Sequence, residues 1–252
     1  MPGTGSGNGV LLTLEKVCKS FGGLIAVNYA SIEVRKGELR ALIGPNGAGK
    51  TTLLNLITGI HTATAGRILF KGEDITRLPP DRISHRGISR TLQITSLFSG
   101  LTVYENIWAA AQSRRRFFNP LARPERWTDV REKTEEMLEL TGLADKAQTV
   151  CSELSYGDQR ILEVGIALST DPELLLLDEP TAGLSTRESM ALVKRMRAML
   201  LGQTIVLVEH DMGVVMELSD RITVLHYGDV LAEGTPAEIM GNDQVRKVYL
   251  GK

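Results

Sequence analysis

The sequence predicts an α/β fold: a mixed or mainly parallel sheet flanked by helices, with a mainly helical lobe inserted in its middle. Three observations carry that prediction. Two continuous apolar runs, "ELLLLDEP" and "TIVLVEH", have the composition of strands buried on both faces of a parallel sheet. They alternate with amphipathic stretches such as "STRESMALVKRMRAML", and strand–helix–strand spacing of this kind implies parallel strands joined by right-handed crossovers. From about residue 79 to residue 169, by contrast, the chain reads as successive helices.

Each element follows from local pattern. "LLTLEKV", "SIEV" and "LRALIG" are short β-type runs separated by Gly and Lys/Gly turns. A helix is expected over "GAGKTTLLNLITGI", where Leu53, Leu54, Ile57 and Ile60 cover one face. "GRILFKGEDI" returns to strand and turn. The helical middle comprises "PPDRISHRG", "LTVYENIWAAAQS", "DVREKTEEMLELTGL" and "DQRILEVGIALS". Its irregular piece, "RRRFFNPLARPERW", carries two prolines and the run Arg114, Arg115, Arg116, and reads as a loop or bent connection. That run fits a solvated face or a contact with lipid headgroups or a partner. Beyond the second buried strand, "DMGVVMELS" is helical and "RITVLHYGDVLAEG" is two strands around a turn. The expected division is a tail over 1–9, a core over 10–85 and 170–252, and a helical lobe over about 86–169.

Composition narrows the classes. The 252 residues are 42% hydrophobic and 23% charged, with a formal net charge of -1, an ordinary soluble balance without the basic excess of nucleic-acid binders. No apolar run approaches the ~20 residues that a membrane-spanning helix needs. The Gly/Ser/Pro start, "MPGTGSGNG", has neither the basic nor the apolar region of a secretory signal, and disorder is expected there. Cys18 and Cys151 read as buried small hydrophobes, as suits a reducing cytoplasm.

The chemistry is concentrated in two places. Gly44, Pro45, Asn46, Gly47, Ala48, Gly49, Lys50, Thr51 and Thr52 spell G-x-x-x-x-G-K-[ST] between a strand and a helix. Glycines let successive backbone N–H groups turn inward around a phosphate, and the following helix points its positive end at the same anion. Lys50 then reaches the outer phosphates and the Thr51 hydroxyl ligates Mg²⁺. This is a nucleoside-triphosphate site on a P-loop NTPase core. "LLLLDEP" ends a buried strand on Asp178 and Glu179, at the carboxyl edge where ligands of open α/β sheets bind. Asp178 is placed to hold Mg²⁺ and Glu179 to orient or deprotonate an attacking water.

A third stretch, "LSYGDQR" over 154–160, is by itself a turn and helix start. With the phosphate loop before it and "LLLLDEP" and "VEHDM" after it, the chain resembles the nucleotide-binding subunits of ABC transporters over about residues 10–250. The resemblance implies ATP and Mg²⁺, and two subunits paired head to tail with ATP between the phosphate loop of one and the "LSGGQ"-type stretch of the other. It makes Ser155 and Gly157 the phosphate-facing residues of that stretch. It makes Gln93 in "RTLQ" the glutamine that senses Mg²⁺ and the γ-phosphate, His210 the switch histidine, and Phe21 the aromatic that stacks on adenine. Phe21 alone could equally be core, and Gln93 alone an ordinary loop residue.

Further features are similar to the branched-chain amino-acid importer branch: "FGGLIAVN", "LFSGLTVYENI", "LxYG", "VYLGK" and the insertion before Trp127. They imply membrane permease subunits as partners, a periplasmic binding protein indirectly, no nucleic acid, and a cytoplasmic, peripheral position on the inner face of the membrane. A lipopolysaccharide-exporter ATPase shares part of the pattern. A soluble ATP-driven clamp would carry a long coiled-coil insertion or a second cassette, and a small-molecule kinase would not need Ser155, Gly157 or His210. Three departures stand out. Tyr156 stands where many members have Gly, although "LxYG" is similar to the importer branch. Asp158 replaces the usual Gln or Glu, and Ser185 replaces the Asp common in relatives. Sequence alone assigns neither a role.

Overall fold

The computed structural model describes residues 9–91, 97–113 and 127–250. It contains two sheets. Strands β1 (Val10–Phe21), β2 (Leu24–Arg35), β4 (Ala65–Phe70) and β5 (Glu73–Asp74) form an antiparallel sheet in the order β2-β1-β4-β5. The other has six strands in the order β10-β9-β3-β8-β7-β6, where β3 is Leu39–Ile43, β6 Ile88–Arg90, β7 Leu174–Asp178, β8 Ile205–Val208, β9 Arg221–His226 and β10 Asp229–Gly234. Neighbours from β9 to β6 are parallel, and only β10 runs against β9.

The apolar run of β7 behaves as its composition predicts. Leu174 and Leu176 point into one cluster, with Leu53, Leu54 and Ile57 of α1 (Lys50–Ile57) and Phe70 of β4. Leu175 and Leu177 point the other way, toward Ile161, Leu162, Val193 and Met196. Successive side chains of a strand alternate faces, so a strand between two layers must be apolar at every position. Each leucine fully buried in this way contributes about 2 kcal/mol.

The second layer includes α3 (Val103–Ser113), α4 (Thr128–Thr141), α5 (Tyr156–Ser169) and α6 (Thr186–Met199), whose apolar faces share the cluster with Val103, Ile107 and Met137. Three capped helices continue the chain: α7 (Met212–Leu218), α8 (Pro236–Met240) and α9 (Asp243–Leu250). Ser185 caps α6: its hydroxyl accepts the Glu188 N–H while Glu188 reaches back to the Ser185 N–H. Ser and Asp are about equally good at this position, so the departure keeps the helix start.

One difference from the sequence reading concerns the lobe boundary. After the short α2 (Pro80–His85), residues 88–90 are not helical; they form β6, parallel to β7, so the chain is still in the core sheet where the lobe was expected to begin. A three-residue strand is too short to display a period of two. The antiparallel sheet is also separate from the parallel one, which strand propensity alone does not reveal. Residues 1–8 of the expected 1–9 tail and the run Arg114–Arg116 lie outside the described residues.

Candidate nucleotide site

The phosphate loop is the turn between β3 and α1, and two of its glycines are demanded by the backbone. Gly49 has φ +104, and a Cβ there would stand 2.3 Å from the Ala26 carbonyl oxygen of β2. At Gly44 a Cβ would stand 2.2 Å from the Leu225 carbonyl oxygen of β9. Both obstacles are backbone, so no side-chain adjustment relieves them. The loop is thus wedged between two strands from different sheets, which fixes its N–H groups before any ligand arrives. Lys50 is buried, and its ammonium donates to the Gly44 and Pro45 carbonyls at 2.7 and 3.1 Å. Burial lowers its pKa, while the Glu179 and then the Asp178 carboxylate push the other way. Thr51 is exposed and Thr52 half-buried on the first turn of α1.

β7 delivers Asp178 beside this loop. Its Oδ2 accepts from Arg90 at 2.7 Å, and Arg90 also donates to Asn55 of α1 at 2.6 Å. Arg90 and Asp178 are 9% and 0% exposed. Asp178 Oδ1 is buried and has no hydrogen-bond partner among the described residues. A carboxylate with one oxygen held and the other bare fits a hard cation or its water shell. Among the described residues no three His, Cys, Asp or Glu cluster to hold a metal. Asp178 Oδ1 is the carboxylate oxygen left open to such an ion or its water.

Glu179 follows with φ +50, a conformation that side-chain-bearing residues rarely adopt and that surrounding structure must impose. The restraints are visible. Its N–H donates to the Val208 carbonyl at 2.8 Å, and its own carbonyl accepts the Ala182 N–H at 3.1 Å. Buried Glu209 holds both sides of the site. One of its oxygens accepts the Thr181 N–H and hydroxyl at 2.9 and 2.7 Å, and the other accepts the His210 N–H at 3.0 Å. His210 Nε2 lies 2.6 Å from Glu179 Oε1.

Ser155 is the N-cap of α5. Its Oγ accepts the Asp158 N–H at 3.2 Å and donates to Asp158 Oδ2 at 2.9 Å. Gly157 has nothing within 4 Å of where a Cβ would stand. The chain's own packing therefore does not require glycine there; its absent side chain leaves an open surface beside Ser155. Asp158, unassigned from sequence, turns inward and pairs with Lys146 and Arg195, each at 2.8 Å. Burial opposes its ionisation, but hydrogen bonds from Lys146, Arg195 and Ser155 outweigh that and bring its pKa down to about 2.

Phe21 is not a core residue. It is exposed at the β1–β2 turn, edge-on to the His61 ring at 5.3 Å, with the Lys19 ammonium 4.9 Å from its centroid. Gln93 lies outside the described residues. The sequence reading assigned no role to Arg90, Asn55 or Glu209. Arg90 stands in "RTLQ" and Glu209 in "VEHDM", and a charge beside a buried strand carries no signal of the partner it meets. A separate cavity of about 930 Å³, lined by Lys16, Arg35, Arg40, Arg221 and Glu233 among others, contains none of the phosphate-loop residues. Its buried Arg40 is already paired with Glu38 and Glu233.

Comparison with known proteins gives the family and the fold. The family model described as ABC transporter matches residues 27–182, and one described as branched-chain amino acid ATP-binding cassette transporter matches residues 230–252. The chain is 40% identical to the high-affinity branched-chain amino acid transport ATP-binding protein LivG of Salmonella typhimurium, over 96% of this chain and 98% of LivG. It is 39% identical to the corresponding BraF of Pseudomonas aeruginosa, with the same coverage. The lipopolysaccharide export ATP-binding protein LptB of Haemophilus influenzae is 34% identical over 96% of this chain and 98% of LptB. An ATP-binding cassette of an ABC transporter in its ADP conformation superposes with a TM-score of 0.81, at 30% identity over 96% of this chain and 99% of that one. A dimeric bacterial ABC transporter cassette gives 0.75, at 25% identity over 90% and 99%.

Proposed function

This chain belongs to the ABC transporter family of ATP-hydrolysing subunits, and from that membership we propose that it drives uptake of branched-chain amino acids, or a related small polar solute, through partner permease subunits. The supporting observation is the end-to-end similarity to LivG. No described helix is long and apolar enough to cross a membrane. By analogy with its relatives, we place the subunit as a peripheral partner on the inner face of the membrane, with solute delivered by a periplasmic binding protein and no nucleic acid involved.

We assign the residues as follows. ATP lies with its phosphates in the loop of residues 44–52 and its adenine on Phe21. Lys50 exchanges its bonds to the Gly44 and Pro45 carbonyls for the outer phosphates. Thr51, Asp178 and, by the family resemblance, Gln93 would hold Mg²⁺, which would supply compensation for charge on the γ-phosphate. Glu179 accepts a proton from, or orients, the attacking water, and His210 holds its carboxylate at the 2.6 Å contact while facing the γ-phosphate. Reaction of this type needs positioning and electrostatic complementarity rather than covalent catalysis. Ser155 and Gly157 complete the site of a second ATPase subunit, which explains a glycine that its own chain does not need.

The test is reconstitution with the permease subunits and the periplasmic binding protein of a branched-chain amino-acid importer. ATP-dependent accumulation of leucine, isoleucine or valine in proteoliposomes is the expected result. Vesicles that consume ATP yet accumulate neither these nor amides, urea or small aromatic acids would refute importer function of this type.

A further inference from the structure

The Ser155 turn is not a free surface loop; it is tied at two points to the segment that follows Glu179 in the same chain. The first tie is Tyr156, whose hydroxyl donates to the Ala182 carbonyl at 3.0 Å, three residues beyond Glu179. Its ring lies against Gly183, and the Arg160 guanidinium packs over the ring at 4.8 Å while donating to the same hydroxyl. The second tie is Asp158. One carboxylate oxygen takes the Ser155 hydroxyl and the Lys146 ammonium, and the other takes Arg195 of α6. Arg195 also donates to the Thr141 carbonyl at the end of α4. The 182–195 segment, in turn, begins at the carbonyl of Glu179, which accepts the Ala182 N–H.

We propose that Tyr156 and Asp158, with Arg195, are positioning residues that couple the Ser155 turn to the Glu179 segment within one subunit. The proposal rests on the reading that Ser155 faces a nucleotide held by a partner subunit. A change at the chain's own hydrolytic glutamate is then passed through Ala182 and α6 to the turn that serves the other nucleotide, so the two sites of a pair are linked inside each chain as well as across the interface. The arrangement also explains Asp158. Arg195 needs an anion, Lys146 needs an anion, and the Ser155 hydroxyl needs an acceptor; a neutral glutamine satisfies none of the charges. Asp at the third helical position does all three, and its N–H donates to the Ser155 hydroxyl that caps the helix. When Ser155 donates to a phosphate it must release Asp158 Oδ2, and the two cations keep that carboxylate in place.

The experiment uses the ATPase pair of the transporter, this chain with itself or with the sister ATPase it assembles with, carrying glutamine at the catalytic glutamate of both members. ATP-driven association is followed by light scattering, and binding of a fluorescent ATP analogue to the separated subunit is measured in parallel. The variants are Tyr156→Phe, Arg195→Met and their combination, both at partly exposed side chains. Loss of one such hydrogen bond should raise the ATP concentration for half-association by about three- to tenfold, and the combination should exceed either alone. Analogue affinity of the separated subunit should not move, and Arg195→Met should lower its melting temperature only by the small amount that loss of one half-exposed pair implies. Unchanged association in all three variants, beside a Ser155→Arg control that abolishes it, overturns the coupling alone. A Ser155→Arg pair that associates normally overturns the reading beneath it. Parallel losses of melting temperature and analogue affinity would mark the contacts as structural only and equally overturn the proposal.

Discussion

His210 Nε2 stands 2.6 Å from Glu179 Oε1, although the two residues are 31 positions apart and end different strands of the sheet. The contact exists because β7 and β8 are adjacent and parallel, with Asp178 in register with Val208, so both chains leave the sheet at the same edge. Glu209 then fastens the two exits together through Thr181 and the His210 N–H.

Glu179→Gln keeps the shape of the side chain but removes its basicity. Steady-state ATP hydrolysis should fall by about 10²- to 10⁴-fold, the usual contribution of a positioned base, and an ATP-bound pair should persist in gel filtration. His210→Ala should also lose hydrolysis, since the carboxylate is then unheld. Turnover at the parental rate in either variant contradicts the assigned roles.

Arg90→Met should destabilise the fold by about 3–5 kcal/mol, because it strands the Asp178 carboxylate in a buried site without its counter-charge. The melting temperature reads this directly. Arg90→Met combined with Asp178→Asn should recover much of the loss, since no uncompensated charge remains. A double variant no more stable than the single would show that the pairing is not what Arg90 contributes.

Gly49→Ala places a methyl 2.3 Å from a β2 carbonyl and at φ +104. The loop must shift, costing on the order of 1–3 kcal/mol in strain, and ATP-analogue affinity should fall far more than affinity-neutral Gly157→Ala, which meets nothing in its own chain. Isothermal titration of the isolated subunit distinguishes them. Equal losses at both positions would remove the wedge argument.

Asp158 has a folded-state pKa near 2 against an ordinary 3.8. A depressed carboxylate stabilises the folded state above its unfolded pKa, and the contribution disappears as pH falls through about 2. With Lys146 and Arg195 each about two-fifths exposed, the discounted worth is roughly 1 kcal/mol. Asp158→Asn should therefore be less stable than the parent from about pH 5 to 8 by a constant amount, with the gap closing below pH 4 in urea titrations. A gap that changes between pH 6 and 8 would point to a different titrating group.

Much of this protein was legible from local pattern. The phosphate loop is contiguous, so its glycines, Lys50 and Thr51 announce themselves by spacing. β8 and the four leucines of β7 are an unbroken apolar pattern because both faces are covered, and that run locates Asp178, Glu179 and His210 at one sheet edge. Ser155 and Gly157 came from a short motif whose meaning depends on order along the chain. Arg90 and Glu209 were not legible, because a charge beside a buried strand reads the same whether it faces water or another charge. Asp158 shows the limit best. Its neighbours in sequence place it in a helix start, but its partners, Lys146 and Arg195, are 12 and 37 residues away. Sequence by itself determined which residues can bind a phosphate, since that needs only a strand, a turn and a helix in succession. Only the tertiary structure decided which charges meet, because pairing is set by the packing of helices and strands that are distant along the chain.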